Sequence, residues 1–284
     1  MEHRINDTAT GRVFDVLQIS GAAGFLLIVL TAILSRHIQR HFTWLNFCIS
    51  WIISCVSYTL LVFTGTNGSK HVPYALCVTQ AALIYGAPVL TGGTTFSLAF
   101  YMYTHVKASL DHTSLGVDTF WLILGPYLIG LGFFLGVLVS GIRQPSQVHK
   151  AQNYCDLTSP FPYDPYAAIL VIVLKGRYRS KAAALVVALA ATGVVLISVF
   201  VAVQLYRNRR RLGHGTLHVA AAIRVICFGI VGFLGFVISA VYVITWNQGP
   251  GFDIILALVP NFGVVIFGSQ ADILHAWIAL LRGR

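Results

Sequence analysis

The chain has 284 residues, of which 57% are hydrophobic and only 10% charged. A soluble domain carries about 25% charged residues, so this chain is too poor in charge to cover a water-facing surface. That excludes a disordered chain, a collagen, a coiled coil and an ordinary cytosolic enzyme, and makes lipid the main solvent. Lys and Arg number 19 against 9 Asp and Glu, a formal charge of +10. The basic residues fall mainly between apolar runs, where they anchor against anionic headgroups, so the excess does not indicate nucleic acid.

A bilayer core of about 30 Å takes about 20 apolar residues of helix. Backbone in lipid must satisfy its own hydrogen bonds, which selects helices. Seven segments meet this description: 16–34, 42–63, 75–103, 119–141, 182–206, 217–246 and 252–277. The chain therefore reads as an all-α membrane protein, a seven-helix bundle, with an extracellular tail at 1–15, a transmembrane domain over 16–277 and a short cytoplasmic tail at 278–284.

Along the chain, the tail carries an N-x-[ST] sequon at Asn6. The second helix carries Asn46, Ser50, Ser54 and Ser57 at spacings of four, four and three, which places them on one face. They read as hydrogen-bonding glue between helices, or as the border of a water-filled cavity. Gln80, Thr91 and Thr95 of the third helix are their counterparts. Between these helices lies the second sequon, at Asn67. Pro88 predicts a kink in the third helix, and Gly132-x-x-x-Gly136 a close helix approach in the fourth. The connection 142–181 holds Pro145, Pro160, Pro162 and Pro165, so it is expected to be mostly irregular. Its apolar stretch 166–174 is too short to span, and the basic stretch 175–181 has no assigned role.

Arg207, Arg209, Arg210 and Arg211 link the fifth and sixth helices as a stop-transfer cluster in contact with lipid and, on a functional reading, with an intracellular partner. Ionisable groups within a span are costly, and two stand out, Arg224 in the sixth helix and Asp272 near the inner end of the seventh. At similar depth on adjacent helices, they read as a switch pair that latches a resting state, or as a snorkelling Arg beside a solvated Asp. Pro260 predicts a kink in the seventh helix.

With the N-terminus outside, nine basic residues lie inside and nine outside, and four of the outer nine belong to 175–181. Two signals break the tie. Both sequons fall on the outer side, where glycosylation acceptors must lie. Cys77, at the outer start of the third helix, and Cys155, in the long connection, both face the oxidising side, where a disulfide persists. These two are expected to bond, leaving the other three cysteines as apolar fillers.

Seven helices, N-terminus out, with a Cys atop the third helix and a partner in the next outer loop, resemble a G protein-coupled receptor. The inner end of the third helix reads Phe100-Tyr-Met-Tyr-Thr-His105, and the seventh carries Pro260-Asn-Phe-Gly-Val-Val, both unlike the rhodopsin-like motifs. The segments Trp44-Leu-Asn-Phe-Cys-Ile-Ser-Trp51 and Phe267-Gly-Ser-Gln-Ala-Asp272 are similar to those of uncharacterised seven-helix receptor-like proteins of mushroom-forming fungi. The resemblance implies a membrane receptor, placed at the plasma membrane, with a heterotrimeric G protein as partner.

Gln80, Tyr85, Tyr242, Trp246 and Asn247 fall in the outer half and are candidate ligand contacts, with the interfacial aromatic belt as the alternative for Tyr242 and Trp246. His214 with His218, and Asp272 with His275, have metal-compatible spacing, yet no His lies deep in a span. The five lysines, at 70, 107, 150, 175 and 181, leave the seventh helix without one, which excludes a retinal Schiff base. The expectation is a receptor for a small or lipid-like ligand, without enzymatic activity or cofactor. The alternative is a small-molecule or lipid transporter.

Overall fold

The computed structural model of the protein describes residues 2–35, 38, 40–67, 69, 71–111, 118–151, 153–157, 179–207, 226–235, 237–238, 240–241 and 250–282. The chain begins with α1, Glu2–Leu34, a helix of 33 residues. At 1.5 Å per residue it is about 50 Å long, more than a bilayer core needs, so most of the expected tail is an extension of this helix. His41 opens α2, Phe42–Tyr58, by accepting from the Thr43 N–H. The expected helix 42–63 is not continuous. The Thr59 hydroxyl donates to the Cys55 carbonyl at 2.8 Å, and Thr59 separates α2 from the single turn α3, Leu60–Phe63. Such a back-bond competes with the helix ladder and bends it.

The long helices α4, Tyr74–Asp111, and α5, Thr119–Arg143, follow. The described start of the connection after α5 has regular structure, while Pro160, Pro162 and Pro165 lie outside the described residues. It contains β1, Val148–Lys150, and β2, Cys155–Leu157, paired antiparallel with Lys150 opposite Cys155. Then come α6, Arg179–Arg207, and α7, Ile226–Gly235. The expected seventh helix, 252–277, is two helices: α8, Pro250–Gly268, and α9, Ala271–Leu281, joined at an angle of 77°. Pro260, the expected kink, lies inside α8. The break falls at Ser269–Gln270 because α9 has its own apolar face to bury. Ile273 is fully buried, and Trp277, four residues on, donates its indole N–H to Thr31 of α1 at 2.8 Å.

Among the described residues, four helices are long and apolar enough to cross a membrane, or five if α8 and α9 form one bent span. The protein is all-α and of membrane type, with one small hairpin among the described residues. Large apolar side chains such as Phe120, Trp121, Leu131 and Leu196 are exposed on the bundle's outside, where acyl chains are their natural solvent.

Helix α4 is the centre, packing against α2, α5 and α6, while α1 packs against α2 and α8. The α4–α5 approach depends on Gly86 and Gly130, whose added Cβ atoms would meet the opposite helix at 3.0 and 3.2 Å. Gly136, expected to serve this role, faces open space. Similarly, α1 meets α8 at Gly24, where a Cβ would come within 2.6 Å of Val264. Small residues allow this closeness, and in lipid close packing is what holds helices together.

The polar stripe of α2 forms bonds between helices. Asn46 reaches the Ile123 carbonyl of α5, and the Ser50 hydroxyl lies 2.7 Å from that of Thr94 on α4. Thr94, not singled out from the sequence, is the partner that α4 supplies. The Ser57 hydroxyl bonds back to Ile53 at 2.7 Å, and Ser54 faces a cavity.

Candidate functional site

Cys77 and Cys155 are disulfide-bonded, across a sequence separation of 78 residues and with Cα atoms 5.2 Å apart. The bond ties the hairpin to the first turns of α4. Gln80 reinforces it. Its amide donates to the carbonyls of Ser57 and Tyr58, each at 3.2 Å, and its oxygen accepts from the Cys155 N–H at 3.0 Å. Fully buried and bonded at both ends of its amide, Gln80 is a structural tie between α2, α4 and the hairpin rather than a wall of the cavity. Lys150 fixes the hairpin's other strand by donating to the carbonyls of Asn67 and Ser69.

Beneath the hairpin lies a mostly apolar cavity of about 200 Å³. Its roof is aromatic and acidic: Tyr58, Tyr85, Tyr154 and Asp156. Its middle carries Gln18, Trp51, Ser54, Thr91 and Thr95. Its far wall is smooth and apolar, made by Val187, Ala191 and Val194 of α6, Gly232 and Gly235 of α7, and Pro260 of α8. Of the candidate ligand contacts, Tyr85 lies in the roof and donates its hydroxyl to Asp156 at 3.0 Å. Tyr242, Trp246 and Asn247 lie outside the described residues.

The roof is locked by its own network. Tyr154 packs edge-on against Tyr58 at 5.8 Å and tilted against Phe14 at 6.0 Å. Its hydroxyl donates to Asp253 of α8 at 3.0 Å. Burial, and then the negative charge of Asp253, push the Tyr154 phenol well above the usual tyrosine range, so it stays a donor. Nearby, the Asn67 amide donates to Asp15 of α1 at 2.8 Å, so the nitrogen that a glycan would modify is already bonded. The side chain of Asn6 lies outside the described residues.

Below the cavity, aromatic rings fill the core. Phe47 of α2 lies 4.9 Å from Phe267 of α8 and 6.3 Å from Phe228 of α7, which is itself 5.4 Å from Phe267. Trp44 adds an edge contact to Phe267 at 6.1 Å. The segments 44–51 and 267–272 thus pack against each other through Trp44, Phe47 and Phe267.

At the end opposite the hairpin, Asp272 stands in the first turn of α9, where the helix dipole favours an acid. Its described partner is Arg40, on the connection into α2, whose guanidinium also lies 5.2 Å from the Trp44 ring centroid. Arg224, the partner expected from the sequence, lies outside the described residues, as do Arg209, Arg210 and Arg211. Arg207 is exposed in the last turn of α6. Nothing in the sequence marked Arg40, which read as one basic anchor among several. Only the bend before α9 brings Asp272 to it.

Beside this pair, His41 stacks on Tyr101 of α4 at 3.8 Å, with His105 one turn on. Desolvation, and then the charge of His105, lower the His41 pKa. Its Nδ1 accepts from the α2 backbone, a bond only the neutral ring can make. The unfolded chain, with His near its ordinary value of about 6.5, therefore binds the proton more readily than the folded one. Stability contributed by neutral His41 is present above about pH 6.5 and falls as pH drops below it. Thermal denaturation of the wild type should show this loss between about pH 7 and 5, and His41→Asn, which keeps a cap acceptor, should flatten it. An unchanged pH profile in the variant would assign the dependence elsewhere.

Among the described residues no group of three or more His, Cys, Asp or Glu is placed to hold a metal ion. No family model matches the chain, and no curated protein matches it.

Proposed function

We propose that the protein is a seven-helix membrane receptor with its N-terminus outside, which converts occupancy of the cavity into a change at the opposite end of the bundle. Adding the bent pair and the two shorter apolar helices, Phe42–Tyr58 and Ile226–Gly235, to the four long ones gives seven spans. In this reading the disulfide-tied hairpin faces the oxidising side, and Arg40, Asp272 and Arg207 face the cytosol.

The observation that carries the reading is continuity. The cavity touches α7 at Val231, Gly232 and Gly235, and one turn below them Phe228 enters the aromatic core with Phe47 and Phe267. Phe267 in turn precedes the bend that delivers Asp272 to Arg40. A ligand that displaces α7 in the cavity alters the packing of Phe228, and packed interfaces switch between discrete arrangements rather than deform continuously. The ligand shifts the population between two such packings only by its differential affinity for them. The inner partner in this reading is a heterotrimeric G protein, and the site of action is the plasma membrane.

Two measurements test it. In cells, an acceptor site inserted near Gly213 should stay unglycosylated while Asn6 is modified; sugar only near Gly213 would invert the topology. In lipid nanodiscs, G-protein recruitment should depend on cavity occupancy, and Val187→Phe, which narrows the cavity, should change it. Solute flux into liposomes with no dependence of recruitment on the cavity would make the protein a transporter instead.

A further inference from the structure

We propose that the cavity selects a monocationic amphiphile, an amine with an apolar body, and that Asp156 is its counter-ion; this rests on the receptor reading of the same cavity. Asp156 is the one carboxylate among the described lining residues, and no Lys, Arg or His accompanies it there. Its Oδ1 accepts from the Tyr85 hydroxyl at 3.0 Å and from the Leu157 N–H at 2.7 Å. These two donors fix the side chain's orientation. No described donor bonds its second oxygen, which is left for a ligand. Three tyrosines share the roof with it, and aromatic faces attract ammonium groups, most strongly away from water.

Two buried polar side chains provide the independent sign of a ligand. Gln18 of α1 is 2% exposed and Ser54 of α2 is 7% exposed, and both line the cavity. Neither makes a hydrogen bond to any described residue. Buried polar groups are ordinarily satisfied, because leaving them unpaired forfeits their hydration. Ser54 lies one helical turn from Tyr58, about 6 Å deeper than the roof. Asp156 at the top, an amide and a hydroxyl in the middle, and the apolar wall of α6 and α7 define the ligand: cation, then a hydrogen-bonding group or bridging water, then hydrocarbon or ring. A free acid is disfavoured, since its carboxylate would meet Asp156 with no compensating cation.

The test uses the full chain in nanodiscs of zwitterionic phosphatidylcholine and three matched probes, 4-phenylbutylamine, 4-phenylbutanol and 4-phenylbutyrate. The amine should bind at least tenfold more tightly than the alcohol, and the acid least. Asp156→Asn should reduce the amine's advantage to under twofold, and Val187→Phe should weaken the amine and the alcohol together. In the unmutated protein the amine should also protect Asp156 from carbodiimide coupling, which keeps the test independent of how the variants fold. Equal affinity for amine and alcohol, retention of the preference in Asp156→Asn, or equal Asp156 labelling with and without the amine would each overturn the proposal. Selective amine binding with no effect on G-protein recruitment would instead overturn the receptor reading and leave the amine site standing.

Discussion

Removing the disulfide, by Cys77→Ser or Cys155→Ser, is expected to destabilise the protein by about 2–4 kcal/mol, since the bond closes a long loop. The cost extends beyond loop entropy. Cys77 and Cys155 are buried with Leu61, and Val72, Leu76 and Val148 pack around them. Freed from α4, the hairpin also strains the bond from the Cys155 N–H to Gln80. Asp156 and Tyr154, which flank or follow Cys155 directly, then leave the cavity roof. Both single variants should therefore lower the thermal denaturation midpoint and weaken cavity ligands together. A thiol count on the denatured, unreduced wild type should find three free cysteines, Cys48, Cys55 and Cys227. Five free thiols, or serine variants within about 0.5 kcal/mol of wild type, would show that the hairpin is held without the bond.

The second large effect is expected at Arg40–Asp272. The Arg40 side chain is 14% exposed and that of Asp272 41%. Solvent therefore screens the acid, while the guanidinium, half-sandwiched against Trp44, depends on its partner more. Loss of the acid takes a counter-charge from a largely buried cation, which is the costlier half of breaking such a pair. Asp272→Ala should destabilise by about 1–3 kcal/mol; Arg40→Ala should cost less, because the acid it abandons is hydrated. The double-mutant cycle should give a coupling of at least about 0.5 kcal/mol. Because the pair joins the connection before α2 to α9, both single variants should also raise basal G-protein recruitment under the proposed receptor function. Additive single variants with unchanged recruitment would reduce the pair to an anchor.

The same measurement on Arg224 separates two latches. If Arg224→Ala leaves the Asp272 variants' effects unaltered, the acid works through Arg40 alone. If the three residues are coupled, the pair read from the sequence and the pair seen in the structure belong to one network.

Lipid as solvent left its mark on every helix, so helix type and rough position were legible from composition alone. So was the pairing of Cys77 with Cys155, because the expected order of spans brings both to the same end of the bundle. The stripe Asn46, Ser50, Ser54, Ser57 was legible as one face, since its spacing follows the helical period. Its division into bonds with Ile123 and Thr94 on one hand and a cavity wall at Ser54 on the other was not, because that depends on which helix stands opposite each residue. Gln80 illustrates the same point. A buried amide in an outer half-span has the chemistry of a ligand contact, and only the presence of the Ser57 and Tyr58 carbonyls on one side and the Cys155 N–H on the other makes it a tie.

The 77° angle of the bend at Ser269–Gln270 and the pairing of Arg40 with Asp272 were decided only by the tertiary structure. The stretch 252–277 is apolar on both sides of the short polar segment Ser269–Asp272, and a one-dimensional reading joins it across that segment into one helix. The turn occurs because Ile273 and Trp277 gain more by packing on α1, with a hydrogen bond to Thr31, than by continuing into water as an extension of α8. Periodicity and solvent thus determined that this chain is a bundle of membrane helices. Tertiary packing decided which polar groups are used up inside the bundle, and which, as at Gln18, Ser54 and Asp156, are left facing a space that a ligand can fill.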